Sequence, residues 1–367
     1  MTGNLMRAAV VGCGPWGQAH MRALITNSEV ELVAVCGRSA DSTKAVAEKY
    51  GVRHYLSVER MVGSEQLDFA TVSTGELEHF APSSALIEAG IPTLVEKSLT
   101  FDLKESADLV RLARARNVPC GVNFNMRYLM PFQLMRKALD DNELGRLISL
   151  VWRFSHRWPP PNVDQDVAVA ITHHIHGLNL LLAFGGPIRR VAAVAAAGQD
   201  PARRTTLGAV FTFASGALGM LYGGVDGGLS NDTMSLECQG TSGRAMARDG
   251  TAEFRLWTLE SKLDRIWTPF FADVDEGNFQ KSLDWHLVEF IDAVKHQRPV
   301  PIPLEEGYEA LRVAWALIES AKSGNSVELD AIAPWLPSGG ELYRAPFRFR
   351  EPGAGANATG YADGRQQ

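Results

Sequence analysis

The chain has 367 residues, 46% of them hydrophobic and 21% charged, and a formal net charge of −6 from 36 Lys and Arg against 42 Asp and Glu. That length suits about two domains of ordinary globular composition. A mildly acidic chain with no long basic run excludes nucleic acid as an expected partner, and the longest apolar run, Val191 to Ala197, falls far short of the roughly 20 residues of a membrane helix.

The opening MTGNLMRAAVVG has one Arg, no long apolar stretch and no cleavage site, so it does not read as a signal peptide, and a cytoplasmic protein is expected. Cys13, Cys36, Cys120 and Cys238 form no C-x-x-C pair and read as reduced, small apolar fillers.

Ala8 to Val11 is a short apolar strand, followed by Gly12-Cys13-Gly14-Pro15-Trp16-Gly17 and a helix from about Gln18 to Thr26. A second strand spans Glu31 to Cys36. The G-x-G-x-x-G pattern thus has a strand before it, a helix after it and a second strand beyond. Gly12 permits the tight turn, Gly14 lets a pyrophosphate approach the backbone, and Gly17 lets the helix pack closely. The helix N-terminus offers free N–H groups and a positive dipole end. A dinucleotide site follows. An NAD enzyme usually carries a carboxylate at the end of the second strand. Here Gly37-Arg38-Ser39 stands there. Arg38 can fork onto a 2′-phosphate and Ser39 can donate to it, so NADP(H) is expected over NAD(H).

Strands at Asp68 to Ser73, Thr93 to Glu96 and Val118 to Val122 alternate with helices at Phe80 to Ala89 and Leu103 to Arg116. That alternation predicts a doubly wound parallel sheet, with Arg38, Thr74 and Lys97 just beyond strand ends, where such sheets bind ligands. From about Asn123 the pattern changes to a helix at Phe132 to Asp141 and a long strand at Leu147 to Ser155. A Pro159-Pro160-Pro161 loop and a histidine-bearing helix at Val167 to Ala183 follow. Strands near Ile188 to Ala196, Leu207 to Phe213, Leu218 to Tyr222 and Thr233 to Cys238 come next. Leu207, Ala209, Phe211 and Phe213 alternate, as on a sheet with one buried face, and Ser215-Gly216 marks a hairpin. Helices at Leu283 to His296 and Glu305 to Ser323 close the fold. The expected class is α/β: a Rossmann domain over 1–122, an α+β domain with an open, largely antiparallel sheet over 123–350, and a flexible tail over 351–367.

Several segments in this order resemble the glucose–fructose oxidoreductase and inositol dehydrogenase family (Gfo/Idh/MocA). They are GCGPWGQAH with its His20, STGELEH at Ser73 to His79, and VEKSL at Val95 to Leu99 with Ser98 in place of a proline. VNFNMRY at Val122 to Tyr128, FASGALGML at Phe213 to Leu221 and GTSGRA at Gly240 to Ala245 complete the set. The resemblance implies cofactor contacts from Gly12, Gly14, Pro15, Trp16, Gly17, Thr74, His79, Glu96, Lys97 and Asn125. It also implies a homodimer or homotetramer.

The family places a lysine and a histidine around the nicotinamide. Lys97 matches the lysine. The histidine motif D-x-x-x-H-x-x-D is matched by Thr172 to Asn179, with His176 in register, Thr172 at the first Asp and Asn179 at the second. Thr172 can hydrogen-bond the histidine but cannot support its charge. Lys97 would stabilise the developing alkoxide, and His176 would exchange the proton as general acid or base. Arg127, Tyr128, Trp158 and His173 are candidate contacts for a small, polar, sugar-like substrate. A metal shared by His173, His174 and His176 lacks a completing ligand at suitable spacing, so no metal is expected. The expected activity is hydride transfer to or from a sugar, cyclitol or sugar-nucleotide-like carbonyl or alcohol. An NADPH-dependent imine reductase and a dinucleotide-binding regulator without turnover are the alternatives.

Overall fold

The computed structural model describes residues 5–157, 169–198, 201, 203–225, 233–250, 252–261, 264–269 and 279–333. The expected proline loop with Trp158, and the tail over 351–367, lie outside the described residues.

The N-terminal half builds a six-stranded parallel sheet. Its strands are β1 (Met6–Val11), β2 (Val30–Cys36), β3 (Arg53–Tyr55), β4 (Phe69–Val72), β5 (Thr93–Glu96) and β6 (Cys120–Asn123), in spatial order β3-β2-β1-β4-β5-β6. The strand order reverses between β1 and β4, which opens a crevice at their carboxyl ends. β4, β5 and β6 are buried throughout, as continuous apolar runs covered on both faces must be.

Helix α1 (Pro15–Ile25) starts on Pro15, whose missing N–H costs nothing in a first turn, and has no acidic residue there. Helices α2 (Ala40–Tyr50) and α3 (Val58–Ser64) flank β3, and α4 (Phe80–Glu88) follows the loop after β4. Helix α5 (Leu103–Arg116) has a side-chain cap: Asp102 Oδ1 accepts from Glu105 N at 3.0 Å, and Asn117 closes it in the left-handed region.

The second half forms a nine-stranded sheet. Its strands are β7 (Leu147–Ser155), β8 (Ile188–Ala197), β9 (Arg204–Phe213), β10 (Leu218–Gly224), β11 (Thr233–Gly240), β12 (Gly243–Arg248), β13 (Glu253–Thr258), β14 (Arg265–Trp267) and β15 (Val327–Glu328). Their order is β14-β13-β12-β11-β7-β10-β9-β8-β15, and all pairs are antiparallel except β10 with β7. Leu207, Ala209, Phe211 and Phe213 are buried, so the alternation read in β9 does set its inner face. That face is covered by α6 (Met130–Asp140), α7 (Ile175–Gly185) and α9 (Leu304–Ser323), and the opposite face carries exposed Val194, Val210, Leu218, Met220 and Tyr222.

Helix α8 (Phe279–Lys295) returns to the first sheet: Leu283, Leu287, Phe290 and Ile291 pack with Val10, Leu24, Phe69 and Leu94. α9 is wedged between the two sheets, where Trp315 Nε1 donates to Phe101 O at 3.0 Å. The apolar core is therefore continuous from one sheet to the other, and the crevice above the first sheet is walled by both.

The single histidine helix expected over Val167 to Ala183 is corrected. A π-type turn, Val169–His173, precedes α7, and His174 N donates to Val169 O at 3.1 Å across it. The wider turn carries Thr172 and His173 to the crevice wall, where His173 stacks on Phe154 with centroids 4.4 Å apart. The GTSGRA segment turns the chain between β11 and β12, which pair antiparallel on either side of it.

Candidate active site

The carboxyl ends of β1, β2, β4 and β5 open into a cavity of about 710 Å³, closed on the far side by the β7 end and the histidine segment. Its wall brings together eleven of the expected residues: Gly12, Gly14, Pro15, Trp16, Arg38, Ser39, Thr74, Lys97, Thr172, His173 and His176.

The glycine turn shows why its residues are glycines. At Gly12, with φ +125°, a Cβ would stand 2.3 Å from Ser73 O, and at Gly17 it would stand 2.1 Å from Gly12 O. Those two let the turn, β4 and α1 close on each other. At Gly14 a Cβ would meet nothing within 4 Å. Gly14 therefore keeps a stretch of backbone open to the cavity at the N-terminus of α1, where a side chain would fill the space a pyrophosphate needs. The residues present fit a dinucleotide.

Lys97 follows β5, and its peptide bond to Ser98 is cis. Its Nζ lies 3.2 Å from Glu76 Oε1 in the loop after β4, with the side chains 16% and 30% exposed. Ser98 Oγ donates to Ile171 O at 2.6 Å. The residue standing in place of the family's proline thus ties the lysine turn to the histidine segment. His79 Nδ1 is 2.7 Å from Ser98 O and Nε2 is 3.3 Å from Thr74 O, so His79 clamps the loop after β4 to the turn after β5 from behind the wall. Burial pulls its pKa down.

His176 is buried at the start of α7, edge-on to Phe124 at 5.8 Å. Burial, and then the charge of Lys97, lower its pKa to about 3. It is a neutral imidazole at neutral pH, able to accept a proton from a substrate oxygen. Nδ1 is buried with no hydrogen-bond partner, and the ring lines the cavity, so Nε2 is the nitrogen left to face a ligand. His173 is lowered well below its ordinary value by burial and by the neighbouring His174 and His156. His173 and His176 therefore both face the cavity as neutral rings at neutral pH.

The remaining expected residues stand behind that wall. Burial alone would raise the Glu96 carboxyl. His20 Nε2 at 2.8 Å from Glu96 Oε1, Asn123 Nδ2 donating at 2.6 Å, and the nearby Lys97 charge outweigh burial and hold the pKa at about 2. His286 Nδ1 lies 2.7 Å from Asn123 Oδ1, and its ring stacks on Tyr128 at 4.9 Å. Asn125 Nδ2 donates to Ser282 Oγ at 2.8 Å, and Tyr128 Oη donates to Glu289 Oε2 at 2.7 Å. Arg127, expected at the substrate, is turned between α7 and α9, where it binds Asn179 Oδ1 at 2.7 Å and pairs with Glu306. Gly17, His79, Glu96, Asn125, Arg127 and Tyr128 thus position the cavity without lining it.

Glu76, Glu78, Phe154, His156 and Phe279 also stand on the wall and are not among the residues expected from the sequence. The two glutamates lie inside STGELEH, where acidic residues in a loop beside a cofactor turn were the available signal. Trp16 meets Phe279 edge-on at 5.7 Å at the cavity mouth. Among the described residues no three His, Cys, Asp or Glu side chains converge as a metal site would require, and no helix is long and apolar enough to cross a membrane.

Residues 6–124 match the family model described as "Oxidoreductase family, NAD-binding Rossmann fold", and residues 132–246 match the "GFO/IDH/MocA C-terminal domain". A myo-inositol dehydrogenase of Streptomyces leeuwenhoekii is 34% identical over 160 residues, 44% of this chain and 49% of its own length, so the chain matches about half of that relative. A D-xylose 1-dehydrogenase (NADP(+)) of Haloferax volcanii is 25% identical over 337 residues, 89% of this chain and 100% of its own. The crystal structure of an oxidoreductase from Agrobacterium radiobacter in complex with NAD+, L-tartaric acid and magnesium superposes with a TM-score of 0.79 at 17% identity, covering 89% of this chain and 99% of that one. At that identity the likeness is one of fold.

Proposed function

From the chain's membership of the GFO/IDH/MocA oxidoreductase family, we propose that it is an NADP(H)-dependent oxidoreductase acting on a carbonyl or alcohol carbon of a sugar, cyclitol or sugar-nucleotide-like substrate. The observation that carries this reading is the shared wall: Gly14, Lys97 and His176 face one cavity. The bound dinucleotide supplies or accepts the hydride. Gly14 and the α1 N-terminus hold its phosphates. Lys97 meets the substrate oxygen with a positive charge and steadies a developing alkoxide. In alcohol oxidation the neutral His176 takes the hydroxyl proton, and in the reverse direction it returns it. Thr172, in place of a carboxylate, leaves the imidazolium with less support.

The NADP(H) preference is supported by Gly37-Arg38-Ser39 at the end of β2, a turn that brings a guanidinium and a hydroxyl and no carboxylate of its own. The exposed apolar face of the second sheet supports a homodimer or homotetramer. Met220 (49% exposed) sits across the ladder from Val210 (47%), between Leu218 and Tyr222 on the same face. Cofactor titration tests the reading. The purified chain should bind NADPH more tightly than NADH. Failure to bind either would overturn it.

A further inference from the structure

Arg38 and Glu78 meet on the cavity wall. Arg38 Nη1 donates to Glu78 Oε1, and the side chains are 86% and 50% exposed. The two ends of this pair are held differently. Glu78 sits in a pinned loop: its N donates to Gly75 O at 2.7 Å, and its O accepts from Thr74 Oγ1 at 3.0 Å. The neighbouring His79 anchors the same loop to Ser98. Arg38 reaches across on a long, exposed stem from the turn after β2, so Arg38 is the member free to move.

The end of β2 is where a Rossmann sheet meets the adenosine ribose. A carboxylate there accepts from the ribose hydroxyls of NAD(H), and a guanidinium binds the 2′-phosphate of NADP(H). In this chain both groups are present and paired, the carboxylate arriving from the loop after β4. Building on the dinucleotide reading above, we propose that Glu78 is a specificity-determining residue that keeps NAD(H) acceptable and limits the preference for NADP(H). With NADH, Glu78 accepts from the ribose diol while Arg38 stays paired to it. With NADPH, the phosphate must draw Arg38 from Glu78 and settle beside a fixed negative charge. Ser39 and Ser42, also on this wall, can donate to either ribose.

The test is a titration of the full chain and its variants with NADPH and with NADH, read by quenching of tryptophan fluorescence. Glu78→Gln should tighten NADPH, weaken NADH and raise the affinity ratio about tenfold. Glu78→Asp, which keeps the charge, should stay within about twofold of the wild-type ratio. Arg38→Ala should shift the ratio the opposite way, losing NADPH affinity while keeping NADH. An unchanged ratio in Glu78→Gln, or equal losses for both cofactors in Arg38→Ala, would overturn the proposal while the dinucleotide reading stands. A wild-type chain that binds neither cofactor overturns both.

Discussion

Lys97 Nζ stands 3.2 Å from Glu76 Oε1, so the ammonium that we propose meets the substrate oxygen is held in place by a carboxylate from the loop after the neighbouring strand. Lys97 is therefore fixed before any ligand arrives, as an electrostatic stabiliser must be. Lys97→Ala should lower turnover of an accepted sugar or cyclitol by about 10²–10³-fold. The NADPH dissociation constant should change little. Steady-state kinetics beside a binding titration check this, and an unchanged rate removes Lys97 from the chemistry.

Thr172 shares the cavity wall with His176 but brings no charge to it. A carboxylate at that position would raise the imidazole's proton affinity. Thr172→Asp should speed alcohol oxidation several-fold and move the acid limb of its pH–rate profile upward. No gain would mean that the missing carboxylate does not limit this chain.

The three glycines of the turn separate binding from stability. Gly12→Ala and Gly17→Ala drive a Cβ into backbone at 2.3 and 2.1 Å, and each should cost about 1–3 kcal/mol of stability. Gly14→Val meets open space and should leave the melting temperature within about a degree or two while weakening NADPH binding by at least about tenfold. Thermal melts paired with titrations decide it. Full NADPH affinity in Gly14→Val would remove the pyrophosphate from this turn.

Acid should unfold the protein early. Burial lowers His174 to about 4 and His176 and His286 to about 3, whereas the unfolded chain protonates each near pH 6.5. Their contribution to stability is complete above about pH 6.5 and is lost as the pH falls toward their folded values, by about 1.4 kcal/mol per pH unit for each ring. Glu96, held at about 2, adds a loss of the same sign below about pH 4.5. Denaturant unfolding near pH 7 and near pH 5.5 measures the slope, and His286→Asn should flatten it by about one proton. Equal stability at both pH values would contradict the neutral, buried histidines.

The open face of the second sheet places Met220 opposite Val210 in the middle of an apolar patch. Met220→Glu should convert a dimer or tetramer to monomer with little change in melting temperature, as light scattering after gel filtration would show. A monomeric wild-type chain would remove this face from assembly.

Much of the fold was legible because its signals are local. The strand–glycine–helix start, the apolar runs of β4 and β5, and the alternation along β9 each follow from a few consecutive residues. Helix α2 was not read because only Thr43 and Ala47 of it are buried, which leaves almost no apolar stripe. β12 to β14 were missed because residues such as Arg244, Arg248 and Arg255 break their apolar pattern. Lys97 and His176 stand out by motif, and both line the cavity. The pairings that place them do not, because Glu76 with Lys97, Ser98 with Ile171 and Arg127 with Glu306 join residues far apart in the chain. Arg127 shows the limit most plainly. An arginine in a motif next to the site suits a ligand contact and a pairing across the domains equally well, and only the fold brings Asn179 and Glu306 to it.

Turnover is measured by nicotinamide absorbance with NADP(H) across polyols, aldoses and ketoses, myo-inositol and D-xylose among them. Wild-type chain and His176→Asn are compared at matched cofactor saturation. The wild-type chain should show substrate-dependent oxidation or reduction of the cofactor, slowed by about a hundredfold or more in His176→Asn, with cofactor affinity retained. Tight NADPH binding with no absorbance change for any substrate would contradict it and mark the chain as a dinucleotide-binding regulator.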